Sequence, residues 1–361
     1  MCYGEIVMFD YSYKALPEKV VVTVSSIGIP EDWQKKILIK LNQQGEKYGF
    51  SVACVKGNED FNSQKNGELN LLICKIGTPY KEDIVEKLSS YLKRYQVISL
   101  AFTYSSFNEM MKYREHIEMI KRKFDDKINF LRPDSVNENN MYYVSDEKIL
   151  DNAVCDSVRV KYQPKNLNRT IVELGYNQFI KDFFIMSSTL YEKWNLYHRS
   201  STDGYFAIRS NNGFFITATK TNKVNLDFIR ISFVHSYDEK NNVLEFSGEY
   251  LPSSDAVEAS IVFKNLPNVS SIIHTHASDL FTRNISFSDR VLVPRLPYGE
   301  PDLGYAIVKA LNAVSDGFII MDNHGEIFAN YESTSHSFLE HKISFQCLKS
   351  LGDNISKVRI S

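Results

Sequence analysis

The chain of 361 residues lacks any run of about 18 apolar residues, so a transmembrane helix is not expected. Its five cysteines (Cys2, Cys54, Cys74, Cys155 and Cys347) are odd in number, scattered and without a C-x-x-C pair. That pattern speaks against a disulfide framework and for free thiols in a reducing compartment. The opening stretch MCYGEIVMFDY carries an early acid and has neither a basic segment nor a long apolar core. No secretory signal is expected from it, and a cytoplasmic location is. There is no long basic run and the formal net charge is −2, so nucleic acid is not an expected partner. Both glycine-rich phosphate motifs, G-x-G-x-x-G and G-x-x-x-x-G-K-[ST], are absent. No internal repeat or low-complexity tract stands out, and at this length two domains are the natural expectation.

What is there alternates in the first part. Strand patterns at 19–27, 50–56, 68–77, 96–104 and 128–132 are interleaved with helical patterns at 30–49, 80–95 and 107–124. In the second of these helices Ile84, Leu88, Tyr91 and Leu92 recur at helical spacing. Alternating β and α units favour a parallel sheet covered by helices, so residues 1–165 are expected to form a Rossmann-like α/β domain. Ser25, Ser26 and Gly28 follow its first strand and could meet an anion at a helix start, but with no glycine-rich motif an ordinary βα turn is the first reading. A polar, Asn-rich stretch within 132–168 marks the boundary. Residues 166–361 are expected to form a second domain, with a helix at 171–194, strand candidates through 247, helices at 253–266, 301–314 and 333–351, and a strand at 317–330. Segregated rather than alternating elements suggest a mixed central sheet between helical layers.

The chemistry concentrates in SIIHTHASDL, residues 271–280. Alternate residues of a strand face one side, so His274 and His276 point together and Thr275 points away. Taken alone, such a pair is half a metal site or two exposed histidines at a strand end. His324, in MDNHGEI, also ends an apolar run, and three imidazoles with an open position are a usual catalytic zinc set. Asp255, at the start of the helix leading into the His-Thr-His strand, offers a carboxylate that could be a displaceable ligand or a general base. Ser253, Ser254 and Asp255 are by themselves also good helix caps. His336, His341 and His116 read as structural or surface residues, and His235 and His198 carry no assignment.

The order P-S-S-D, nineteen residues from its Asp to the first His of H-T-H, then N-H-G after an apolar strand, resembles the class II aldolase/adducin family. LYEKW, GYFAIRS, GFFITATK and PYGEPDLGYAIVKAL follow in the family's order, and the resemblance spans about 171–350. It implies a class II aldolase-like α/β/α fold and a divalent metal, Zn2+ foremost, on His274, His276 and His324. It implies Asp255 as the acidic catalytic residue, and Ser253, Ser254, Thr217 and Thr219 as contacts for an anionic group. The family's glycine-asparagine pair reads Gly204-Tyr205 here, its next serine is Ala207, and Lys220 stands where the loop glycine would be. The segment carrying the aldolases' proton-donating tyrosine has no counterpart, nor has the epimerase's catalytic aspartate.

The resemblance therefore implies a metal-dependent lyase acting on a small hydroxy-carbonyl, sugar-phosphate-like substrate through an enediolate. Aldol cleavage is the first expectation; epimerisation, dehydration, decarboxylation or a non-catalytic adducin-like scaffold are the alternatives. Lys220 could help the serine pair to bind an anionic tail. A homo-oligomer, a tetramer above all, is implied; Tyr298 and Tyr331 are candidate acids that a neighbouring subunit could supply, with ordinary packing tyrosines as the first reading of both.

Overall fold

The computed structural model describes residues 21–27, 35–36, 39–40, 42–43, 51–54, 68–76, 84–92, 97–113, 120, 128–131, 133, 135–145, 160–197, 201–277, 280–281, 284–322, 324–332 and 335–358. The chain divides into two compact units, Met1–Arg159 and Val160–Ser361.

In the first unit β1 (Val21–Ile27), β2 (Ser51–Cys54), β3 (Glu68–Ile76), β4 (Val97–Phe102) and β5 (Ile128–Leu131) form one sheet in the order β2-β1-β3-β4-β5. Every pairing is parallel. Helices α1 (Ile84–Tyr91) and α2 (Phe107–Lys112) fall between strands in the chain. Ile98, Ser99, Leu100, Ala101 and Phe102 of β4 are all buried, as expected of a parallel strand covered on both faces. Leu88, Ile120 and Ile128 pack with Ile98, Leu100 and Phe102, and Tyr91 and Leu92 lie against them, so the helical spacing of α1 does face the core. A short hairpin, β6 (Ser135–Val136) with β7 (Tyr142–Tyr143), bridges to Tyr104. Gly28 and His116 lie outside the described residues.

The second unit is built on a nine-stranded mixed sheet. Its strands are β8 (Gln163–Asn166), β9 (Tyr205–Ser210), β10 (Gly213–Thr217), β11 (Ile231–Asp238), β12 (Val243–Ser247), β13 (Ser271–Thr275), β14 (Val291–Val293), β15 (Phe318–Met321) and β16 (Gly325–Asn330). The order is β14-β15-β16-β13-β9-β10-β11-β12-β8. The two outermost pairs are parallel and the rest antiparallel.

The period of two along each strand sorts side chains into two cores. Phe206, Ile208, Ile273 and Phe328 face α3 (Gln178–Lys193) and α6 (Ser337–Val358). Tyr205, Ala207, Ile272, Ile327 and Ala329 face α4 (Ala256–Asn265) and α5 (Pro301–Asn312). Among the described residues no helix is long and apolar enough to cross a membrane.

Three elements differ from the pattern in the sequence. Helix α3 begins at Gln178 rather than near 171, because Gly175 turns into the left-handed region (φ 89°) and the Asn177 side chain caps the helix by accepting from Ile180 N at 3.1 Å. The apolar run 317–330 is a hairpin of two strands, with His324 in the turn between them. The division between units falls at 159/160 rather than 165/166, since Val160 and Tyr162 pack in the α4-facing core and β8 pairs with β12.

Candidate metal centre

Strand β13 positions the first imidazole. Its register sets His274 opposite Ile327 of β16 and Tyr205 of β9. His274 shares a face with Ile272, toward α4, while Thr275 points to the opposite side. The strand ends at Thr275, and His276 follows with its N–H donated to Leu196 O at 3.2 Å. His324 is held in the β15–β16 turn by its N–H to Met321 O.

These three elements bring His274, His276 and His324 together. One ring nitrogen from each lies within 4.8 Å of the others. The ring centroids stand 4.7 Å (274–276), 5.1 Å (274–324) and 5.1 Å (276–324) apart. His274 Nδ1 lies 2.9 Å from Glu326 O. A carbonyl oxygen only accepts, so Nδ1 carries the proton and Nε2 presents its lone pair toward the other rings. Nε2 of His274 and of His276 are 3.0 Å apart. Burial lowers the His274 pKa, outweighing the opposite pull of Asp255, which favours the neutral imidazole a metal needs. The donor set fits a divalent ion of zinc-like preference: neutral nitrogens at one point, with a carboxylate beside them.

That carboxylate is Asp255, whose Oδ2 is 3.9 Å from His274 Nε2. Asp255 occupies the N-cap position of α4, yet its side chain makes no capping bond. Ser254 Oγ donates to Asp255 Oδ1 at 3.3 Å, and Asp255 N donates to Ser253 Oγ at 3.3 Å. The loop that should hold the anionic group is adjacent in the chain fold. Ala218 bridges Pro252, Ser253 N donates to Thr217 O at 3.1 Å, and Thr219 N donates to Leu251 O at 2.9 Å. Thr217, Thr219, Ser253 and Ser254 are all buried. Thr217 Oγ1 already accepts from Phe206 N, so part of its capacity is structural. Lys220, in the place of a glycine, keeps a left-handed backbone (φ 50°).

The other candidates separate cleanly. Tyr298 lies near the triad, 6.4 Å from the His324 ring, with Lys161 Nζ 4.4 Å over its own ring. Tyr331 sits past the far end of β16, beside Gly317 and Lys342, and is no part of this cluster within the chain. His336 bonds Phe179 O, and His235 bonds Ser247 Oγ; neither reaches the centre. His198 lies outside the described residues.

Three neighbours receive no site role from the sequence, where Tyr205 figures only as a departure from the family's pattern. Tyr205 is buried beside His274, ring centroids 5.3 Å apart, and among the described residues its hydroxyl has no hydrogen-bond partner. Glu258, one turn after Asp255, is buried; its Oε1 accepts from Gly299 N while its Oε2 has no partner among the described residues. Burial first, then the Asp255 charge, pushes the Glu258 carboxyl well above the usual range; burial, then Glu258 and Asp255, raise the Tyr205 phenol. Glu326 is the third, a fully buried acid in β16. The available signal was a charge set inside an apolar run: Glu258 in AVEASIVF and Glu326 in GEIFA.

The Class II Aldolase and Adducin N-terminal domain matches residues 192–330. A probable L-ribulose-5-phosphate 4-epimerase, UlaF, from Mycoplasma pneumoniae is 30% identical over 135 residues, 37% of this chain and 50% of the relative. The chain thus spans about half the length of that relative. Among solved structures, L-fuculose-1-phosphate aldolase from Thermus Thermophilus is similar at 14% identity and a TM-score of 0.36, over 50% of this chain and 94% of that one. A sugar-phosphate aldolase from Thermotoga maritima is similar at 16% identity and a TM-score of 0.40, over 49% and 93%. The resemblance carried by the P-S-S-D, H-T-H and N-H-G motifs is therefore a match to the class II aldolase/adducin family across residues 192–330.

Proposed function

We propose that the second unit is a metal-dependent lyase acting on a small, anionic hydroxy-carbonyl compound of the sugar-phosphate kind, with aldol cleavage as its reaction. The observation that carries this reading is the convergence of three imidazole nitrogens within 4.8 Å, with the His274 tautomer set by Glu326 O. His274, His276 and His324 would hold the ion, Zn2+ foremost. Bound there, a divalent cation supplies Lewis acidity to a carbonyl oxygen and its neighbouring hydroxyl. Asp255, 3.9 Å from His274 Nε2, removes the proton of the hydroxyl one carbon further, β to the carbonyl, whose loss lets the bond between the α and β carbons break and releases the β carbon as an aldehyde. The electron pair of that bond passes to the carbonyl fragment, and the same proton can return to it. The backbone ladder that joins Thr217–Thr219 to Leu251–Ser253 holds Ser253, Ser254 and Lys220 for the anionic tail. The orphaned Tyr205 hydroxyl and Glu258 Oε2 are groups that a hydroxyl-rich substrate would satisfy.

Epimerisation on the same residues is the second reading, favoured by the epimerase relative. The first unit we read as Rossmann-like, from its parallel order β2-β1-β3-β4-β5, which reverses at β1. A homo-tetramer acting in the cytoplasm completes the proposal.

Metal analysis of the purified full chain tests the central claim: about one equivalent per chain, lost in His274→Ala together with aldehyde release from hydroxy-carbonyl phosphates. Less than roughly a tenth of an equivalent supports the non-catalytic scaffold instead. Light scattering tests assembly, and a fully active species of one chain mass overturns it.

A further inference from the structure

Three polar groups between His274 and Ala277 end on a single residue. Glu326 O accepts from His274 Nδ1 at 2.9 Å. Glu326 Oε2 accepts from Thr275 Oγ1 at 2.8 Å and from Ala277 N at 2.8 Å. These contacts reach both faces of the sheet. The carbonyl addresses the imidazole on the α4 side, and the carboxylate addresses Thr275 and Ala277 on the α3 and α6 side. The β13–β16 ladder stops at the pair Thr275↔Glu326. Beyond that pair Ala277 N has no strand partner, and the Glu326 side chain takes the place of one.

The residue is fully buried, and a buried carboxylate is a costly way to satisfy one amide and one hydroxyl. An apolar strand such as β16 needs no acid for packing. What the acid adds is a fixed path for the backbone on either side of His276, the only member of the triad that sits outside a strand and its hairpin turn.

We propose that Glu326 is a positioning residue of the metal centre: its carboxylate, acting through Thr275 and Ala277 from the opposite face of the sheet, sets where His276 delivers its nitrogen. The proposal rests on the metal reading above. Outer partners of this kind typically change metal affinity about 10–100-fold.

The test uses the full chain with Zn2+ and Co2+ as probes. Zn2+ affinity is measured by chelator competition, and ligand geometry by the visible absorption of the Co2+-loaded protein. Glu326→Ala is expected to weaken Zn2+ by about 10–100-fold and to alter the Co2+ spectrum. Glu326→Gln keeps a carbonyl oxygen where Oε2 now accepts both bonds, so it is expected to restore affinity to within about three-fold, a small change on that scale. A protein that needed only the buried charge would not be rescued. Thr275→Val removes one of the two donors, cannot itself remove a ligand, and is expected to shift the Co2+ spectrum in the same direction; it decides the matter if Glu326→Ala does not fold. Zn2+ affinity and Co2+ spectra unchanged in both folded variants overturn the proposal while leaving the metal centre intact. A parent chain that binds neither ion overturns both.

Discussion

Replacing Gly325 by alanine tests the packing of the triad without touching a ligand. Gly325 opens β16 directly after His324, and a Cβ built there would meet His276 Cδ2 at 3.0 Å and His274 Cε1 at 3.1 Å, and would overlap Thr275 O. The two ring contacts are tight for carbon and could yield by a few tenths of an ångström. The carbonyl cannot yield, because it belongs to the last rung of the β13–β16 ladder. The methyl therefore parts the two strands where both histidines emerge. Overpacking of this kind costs about 1–3 kcal/mol. For a unit of some 200 residues, at about 2–4 °C per kcal/mol, the midpoint falls by roughly 2–12 °C. The same shift spreads the imidazoles, so Zn2+ affinity should fall at least ~10-fold. Thermal melting with and without a chelator, together with zinc titration, measures both effects. A Gly325→Ala protein that melts and binds zinc like the parent would refute the claim that this glycine exists to let two imidazoles approach.

Further outcomes follow from the same geometry. Asp255→Asn should keep metal near one equivalent, since three imidazoles remain, yet lower turnover by about 10²–10⁴; equal turnover removes Asp255 from the chemistry. Arg209 donates to Val269 O (2.8 Å), Phe263 O (2.7 Å) and Leu266 O (3.0 Å), closing the end of α4. Arg209→Ala should cost about 2–4 kcal/mol by denaturant melting, with metal binding kept. Burial lowers the Lys342 pKa to about 8, while Nζ donates to Ala329 O at 2.6 Å. Its folded pKa is below its unfolded value, so between about pH 8 and 10.4 the unfolded chain binds more protons and stability rises with pH. Lys342→Met should flatten that rise and raise stability at pH 7 by about 1–3 kcal/mol; an unchanged slope in the variant contradicts the assignment.

Much of the second unit was legible because its signals are local. The two-residue period of a strand predicts a shared direction for His274 and His276, and the two rings do meet although the strand ends at Thr275 and His276 lies just beyond it. Pro301 and the spacing of Leu303, Ile307 and Leu311 define α5 within two residues of its expected end, and all three leucine and isoleucine side chains are buried. His324 entered as a third histidine at the end of an apolar run, and the likeness of its N-H-G motif to a family added to that. The errors were also local in origin. Apolar residues on both sides of Asp322 and His324 read as one strand from 317 to 330 although a turn divides them, and the start of α3 depends on one left-handed glycine and one capping asparagine.

What could not be read is whatever depends on register between distant strands. Glu326 is 50 residues or more from Thr275 and His274, and its partners are decided by which rung of β16 faces which rung of β13. A slip of one residue would turn its carboxylate toward the metal face and carry Ile327 to the other side. The acid would then stand among the imidazoles as a ligand, and Ala277 N would lose its acceptor. In the sequence Glu326 is only a charge that interrupts an apolar strand, a local misfit with no partner in view. Misfits of this kind are where local rules yield to a site. Here the yielding is specific: a side chain facing away from the chemistry is tied by two hydrogen bonds to the residues on either side of His276, and by its own carbonyl to the tautomer of His274.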